Sequence, residues 1–192
     1  MAAALPPFQA FTILFKGKVD RIITTVHTMQ AFDPTRPPTP PPPVFQANAL
    51  WDSGASRSVI SSRLVSTLGL QPVGATKVNH AGGEGTSKTY LVNFGLPNNV
   101  GIAGVLVTEF PAIAGGFDVI IGMDIISHGD FSLTNLGGRT CMSFRTPSCA
   151  VVDYVEEARR LSYSSVGRND PCPCGKKRED GRSVKFKHCH GQ

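Results

Sequence analysis

Ala49-Leu50-Trp51-Asp52-Ser53-Gly54-Ala55-Ser56 puts an acidic side chain at the end of an apolar run. Val44, Phe45, Ala47, Ala49, Leu50 and Trp51 read as a buried strand. The Asp-Ser-Gly that follows breaks the strand, because Gly54 permits positive φ and a close approach by another backbone. A carboxylate at the mouth of an apolar strand is costly to ionise unless hydrogen bonds compensate it. Ser53 and the backbone N–H groups of the turn are placed to supply them. Alone, Asp-Ser-Gly is a common turn, so its meaning depends on what accompanies it.

A second apolar strand comes later, Phe117-Asp118-Val119-Ile120-Ile121, then Gly122 and the short segment Met123-Asp124-Ile125-Ile126. The two stretches, in this order, resemble the retropepsin-like (retroviral-type) aspartic protease family over roughly residues 10 to 146. That family carries Asp-Ser/Thr-Gly-Ala on one strand and an apolar-apolar-Gly strand with a short helix further on. The resemblance implies a mainly β chain, a small closed or partly closed β-barrel of retropepsin type with one or two short helices. It implies Asp52 as the catalytic residue, Ser53 bracing the site, and Gly54 and Ala55 supporting it. Trp51 stands where many members carry a smaller aliphatic residue.

Aspartic proteolysis needs two carboxylates around one water, sharing a proton because neighbouring like charges resist joint ionisation. The chain holds a single Asp-Ser-Gly. A homodimer is therefore expected, with a two-fold axis bringing both copies of Asp52 together. Asp124 reads as a structural charge at a helix start, stabilised by the local dipole. Asp118 reads as an edge-facing strand residue. Gly54-Ala55-Ser56-Arg57-Ser58 lacks the closing Gly of a nucleophile elbow. No Gly-Lys-Ser/Thr phosphate loop is present.

Along the chain, Phe11–Phe15 and Arg21–Met29 read as a β-hairpin around Gly17, with His27 a structural strand residue. Arg36-Pro37-Pro38-Thr39-Pro40-Pro41-Pro42-Pro43 has polyproline II composition; a stiff surface loop is favoured over a ligand for an aromatic groove. Val59–Leu68 has helical apolar spacing at 60, 64, 65 and 68, with Ser56 as N-cap and Gly69 as stop. Residues 76–95 read as a hairpin whose tip contains Ala81, Gly82, Gly83 and Gly85; in the resembling family such a hairpin is the flap over the bound peptide. His80 and Glu84 sit on it. Val100–Glu109 is another strand, Met123–His128 a short helix, and 131–134 with 140–144 a closing hairpin. Fifteen Pro and twenty Gly fit many turns and few long helices.

The tail carries different chemistry. Gly167-Arg168-Asn169-Asp170-Pro171-Cys172-Pro173-Cys174-Gly175-Lys176-Lys177 and Phe186-Lys187-His188-Cys189-His190-Gly191 resemble the SEC-C motif. Zinc takes four soft or borderline ligands in a tetrahedron. Cys172 and Cys174 supply one edge, Cys189 and His190 the other, with His188 a weaker substitute. Fourteen residues separate Cys174 from Cys189, more than is usual, and Arg178–Ser183 reads as a polar insertion. Four filled positions imply structural Zn2+, with no cofactor for catalysis. The expected domains are 8–146 (protease), 147–166 (linker with a short helix, Val152, Val155, Ala158 and Leu161 on one face) and 167–192 (zinc motif).

Five Cys, three of them in the tail, favour metal binding in a reducing cytoplasm over a disulfide framework. No apolar run is long enough for a membrane span, and the first residues do not read as a secretory signal. The basic tail is a weak pointer to an acidic or nucleic-acid partner, because small basic zinc modules are often only soluble, and nucleic acid is not the expected partner. The expected function is an aspartic endopeptidase acting on peptide or protein substrates, with the zinc motif recruiting a protein partner. The alternative is a protease-like peptide-binding adaptor that does not hydrolyse.

Overall fold

In this computed structural model the described residues are 7–80, 83–111 and 115–190. The strands are β1 (Gln9–Leu14), β2 (Ile23–Gln30), β3 (Val44–Trp51), β4 (Val59–Ser61), β5 (Gly74–His80), β6 (Gly83–Leu96), β7 (Val100–Phe110), β8 (Val119–Ile121), β9 (Asp130–Thr134) and β10 (Cys141–Thr146). The helices are α1 (Ser62–Leu68), α2 (Met123–Ile126) and α3 (Tyr154–Tyr163). The chain divides into two compact units, Met1–Cys149 and Ala150–Gln192.

In the first unit, six strands pair in the ring β2-β3-β8-β4-β7-β6 and back to β2, a closed barrel, with β5 added outside β6. Closure removes the open sheet edges. Alternation sets what fills it: Ala47, Ala49 and Trp51 of β3 are buried, as are Val26 of β2 and Val92 and Phe94 of β6. β3 runs parallel to β8 with Trp51 opposite Ile121, so the two apolar stretches found in the sequence lie side by side.

The remaining strands form a separate sheet, β1-β10-β9. The expected hairpin of Phe11–Phe15 with Arg21–Met29 does not form: β1 pairs with β10, Thr12 opposite Ser143, while β2 pairs with β3 and β6. The segment between β1 and β2 is instead tied to Thr140, through Phe15 N–H to the Thr140 carbonyl (2.9 Å) and Thr140 N–H to the Gly17 carbonyl (3.1 Å). Trp51 joins this sheet to the barrel. Its indole stacks on Phe131 (5.6 Å, 13°), lies 5.3 Å from Phe144 and 5.9 Å from Phe11, and donates to Thr24 Oγ1 at 2.9 Å. The large residue before Asp52 is thus a core anchor with its polar atom satisfied.

Two further expectations change. Val59–Ser61 is strand, and the helix begins after it, capped by Ser61 Oγ accepting from Leu64 N–H; Ser56 is not the cap. Ile60 shares the helical period but its backbone is claimed by β7 and β8 together. The stop at Gly69 holds, with φ of 61°. Asp118 is buried rather than edge-facing, and precedes the shortened β8. The 36–43 stretch contains neither helix nor strand and is largely exposed, and His27 is exposed on β2.

In the second unit, Asp153 caps α3 by accepting from Val155 and Glu156 N–H at 2.9 Å each, so Val152 precedes the helix. Bridges between Pro171 and Lys185 and between Lys177 and Ser183 build the tail. The polar insertion is a turn, with Arg178 N–H bonded to the Arg182 carbonyl (2.8 Å) and Gly181 at φ of 79°. It loops out between paired ends, which is why six extra polar residues leave the cysteines together. No described helix is long and apolar enough to cross a membrane.

Candidate active site and metal centre

Asp52 leaves β3 beside β8. Its N–H donates to the Ile121 carbonyl (2.9 Å), extending the parallel pairing by one bond, and its Oδ1 accepts from Gly54 N–H (2.8 Å). Ala55 N–H returns to the Asp52 carbonyl at 3.2 Å, closing the turn. This backbone N–H bond holds the orientation of the carboxyl group. Gly54 keeps that bond short, since a Cβ there would lie 3.1 Å from Asp52 Oδ1. Asp52 is half-buried, and Ser53 is exposed.

The loop 52–58 is locked to the start of α2. Met123 N–H donates to the Ala55 carbonyl (2.8 Å), and Gly122 N–H to Ser58 Oγ (3.0 Å). Ser58 Oγ and N–H donate to the two Asp124 oxygens at 2.7 and 2.9 Å. A Cβ on Gly122 would meet the Arg57 carbonyl carbon at 2.6 Å, so only glycine permits this approach. Asp124 is therefore structural, as expected, but its role is to accept from Ser58 across the loop. Nothing local in the sequence marks Ser58 for this role.

A cleft of about 820 Å3 opens beside this loop. Gly54, Ala55 and Arg57 line one wall, and Thr76, Lys77 and Gly85 of the β5–β6 hairpin the other. Gly83 pairs with His80 at the outer end of that hairpin; Ala81 and Gly82 lie outside the described residues. Glu109 also lines the cleft, and both its oxygens are used: Oε1 accepts from Ser62 Oγ (2.6 Å) and Oε2 from the Tyr90 hydroxyl (2.7 Å). These two bonds and the charge of Lys88 hold Glu109 below the usual carboxylate range. Burial, and then the bond to Glu109, push Tyr90 up to about 12. An adjoining recess of about 330 Å3 shares Arg57, Thr76 and Thr108 with the cleft.

The second unit brings Cys172, Cys174, Cys189 and His190 together, with all four ligand atoms within 4.8 Å of one another. His190 Nδ1 lies 3.2 Å from the sulfurs of Cys172 and Cys189, and the sulfurs of Cys174 and Cys189 are 3.6 Å apart. Tetrahedral zinc with its usual bonds has ligand–ligand edges of about 3.5–3.8 Å, so the donor set and spacing fit that ion. Gly175, at φ of 72°, turns the chain after Cys174. Desolvation and then the neighbouring Cys174 thiol push Cys189 up to about 11. His188 is not part of the cluster. None of the five cysteines forms a disulfide.

Residues 45–128 match the family described as "gag-polyprotein putative aspartyl protease". A retropepsin-like aspartic protease from Rickettsia conorii, known from a crystal structure, aligns with 73% of this chain and 96% of its own, at 9% identity and a TM-score of 0.45. Protein translocase subunit SecA of Variovorax paradoxus (strain S110) is 49% identical over 35 residues, which are 18% of this chain and 3% of that protein. The chain thus corresponds to only a small part of that relative.

Proposed function

We propose that this chain, whose residues 45–128 match the gag-polyprotein putative aspartyl protease family, is a retropepsin-like aspartic endopeptidase that works as a homodimer with one Asp52 from each subunit. The observation that carries this reading is the Asp52 carboxylate, fixed by Gly54 N–H at 2.8 Å in a loop that forms one wall of the cleft. A cleft of about 820 Å3 is of the size that holds several peptide side chains.

Two Asp52 side chains meeting across a two-fold axis share one proton, because both cannot ionise at close range. The ionised carboxylate takes a proton from a water held between them. The protonated one donates to the scissile carbonyl oxygen as the water oxygen bonds to carbon. The tetrahedral product then collapses, and the amine leaves with a proton returned from the dyad. Ser53, exposed beside Asp52, is available to brace the partner copy, and the β5–β6 hairpin to cover the peptide.

The tail is proposed to bind one structural Zn2+ through Cys172, Cys174, Cys189 and His190 and to recruit a protein partner. Thiolate ligation of this kind suits a reducing cytoplasm.

The test compares wild type with Asp52→Asn on a peptide library between about pH 4 and 7, with sedimentation analysis of both. Hydrolysis by the wild-type dimer alone, blocked by a statine-type analogue, supports the reading. Hydrolysis by a monomer removes it, and peptide binding without cleavage by either protein replaces it with a non-hydrolytic adaptor.

A further inference from the structure

We propose that the cleft selects peptides bearing an acidic side chain, with Arg57 as the specificity-determining residue and Lys77 its counterpart on the opposite wall. The proposal deepens the protease reading by naming a substrate class, and it rests on that reading for the peptide nature of the ligand.

Arg57 comes from the loop that carries Asp52, and Lys77 from β5 of the facing hairpin; both line the 820 Å3 cleft. Arg57 also lines the adjoining recess, so it stands where the two spaces meet. Several arginines elsewhere are matched with carboxylates, Arg63 with Asp118, Arg145 with Asp130, Arg160 with Glu156 and Arg182 with Asp180, but the described residues of the cleft offer Arg57 no such match. Among the described residues no carboxylate lies within ion-pair distance of Arg57 or Lys77. Glu109 is the carboxylate in the cleft lining, and its two oxygens are already bonded to Ser62 and Tyr90. Two cations therefore line one concave space from its two walls, and the acid that lines it with them is committed to neutral donors.

A peptide carboxylate completes this arrangement. The guanidinium offers a planar pair of N–H donors that matches a carboxylate in two parallel bonds, while the Lys77 ammonium adds a second positive charge. An extended peptide between loop and hairpin passes both. Placing a cationic side chain there instead sets three like charges together, so discrimination has a repulsive as well as an attractive part. Exposed pairs are weak and charge-assisted bonds stronger, which brackets the expected preference at about five- to tenfold in kcat/KM.

The experiment uses the full chain and peptides cleaved in the library, remade with Glu, Gln or Lys at each position flanking the scissile bond. Wild type is expected to favour Glu over Gln by about five- to tenfold at one position. Arg57→Gln should erase that preference, and Arg57→Glu should transfer it to Lys. Thermal melting of each variant confirms that folding is kept, as Arg57 is exposed. Equal rates on Glu and Gln peptides in wild type, or a preference that survives Arg57→Gln, overturn the proposal. Binding of the same peptides to Asp52→Asn, followed by fluorescence anisotropy, separates the two readings. Charge-selective binding by a protein whose wild type never hydrolyses upholds Arg57 and removes the protease. Hydrolysis without charge selectivity removes Arg57 and leaves the protease.

Discussion

Ser58 and Asp124 are joined by two hydrogen bonds across 66 positions of sequence, from the Ser58 hydroxyl at 2.7 Å and its N–H at 2.9 Å. The same hydroxyl accepts from Gly122 N–H at 3.0 Å, so one side-chain oxygen ties the Asp52 loop to the turn after β8. Both Ser58 and Gly122 are buried, where a lost partner is not replaced freely by water.

Ser58→Ala should therefore do more than remove one bond. It leaves the buried Gly122 N–H without its acceptor and Asp124 with one donor fewer. The expected loss is about 1–3 kcal/mol, read as a lower urea midpoint. Because the loop carries Asp52, kcat should fall more than the KM for a matched peptide changes. An unchanged midpoint would show that the network carries no weight in the folded state.

Asp118 gives the molecule a pH-dependent contribution to stability. The Arg63 guanidinium, against burial, and then the Ser61 hydroxyl hold its carboxyl below the usual range; Ser61 Oγ is 2.7 Å away and Arg63 Nε 3.0 Å. A depressed folded-state value stabilises the fold above the unfolded value, about 3.9, and this contribution is lost as pH falls through the folded value. At pH 7, Asp118→Asn should cost about 1–3 kcal/mol. The gap between wild type and variant should narrow steadily below about pH 4. Urea titrations from pH 7 downward check it, and a gap independent of pH would contradict the ionic origin.

How much of this was legible beforehand depends on the range of the interactions. β3, the Asp-Ser-Gly turn and the β5–β6 hairpin are local patterns, and they form where alternation and glycine placed them. The cluster of Cys172, Cys174, Cys189 and His190 was legible because metal-binding chemistry needs those side chains whatever the spacer, and the insertion closes on itself between Lys177 and Ser183. β1 was misplaced because its partner, β10, lies at the other end of the unit. β4 is three residues long and is a strand only because β7 and β8 flank it. Arg57, with no motif around it, gained meaning only when the hairpin faced it across a cleft.

Thr28 invites a stabilising change. It is fully buried on β2 between Phe45 and Phe94 in register, and its hydroxyl has no hydrogen-bond partner among the described residues. A buried hydroxyl without a partner costs about 1–3 kcal/mol on mutational scales. Thr28→Val keeps the branched shape that suits a strand and removes the polar atom. The expected gain is about 1 kcal/mol, a rise of a few degrees in Tm for a domain of this size. A drop in Tm would mean that the hydroxyl is satisfied in solution.

Metal removal should reach α3 as well as the cysteines. The helix has ten residues, and isolated helices shorter than about 12–15 are marginal in water. Its cap at Asp153 and its Glu156–Arg160 pair are surface interactions, and Val155 and Leu161 are exposed. Its aromatic anchor is Tyr163, whose ring lies 5.6 Å from Phe186 and 5.2 Å from His190. A metal bound through His190 Nδ1 fixes that imidazole, and structural zinc supplies about 10–16 kcal/mol in small finger peptides, enough to order the platform Tyr163 rests on. Chelation should therefore raise hydrogen exchange across 154–163 along with the tail. Tyr163→Ala should raise exchange in α3 by itself while the zinc content stays at one ion per chain. If α3 exchanges at the same rate with and without metal, the helix stands by its own cap and ion pairs, and the coupling through Tyr163 is refuted.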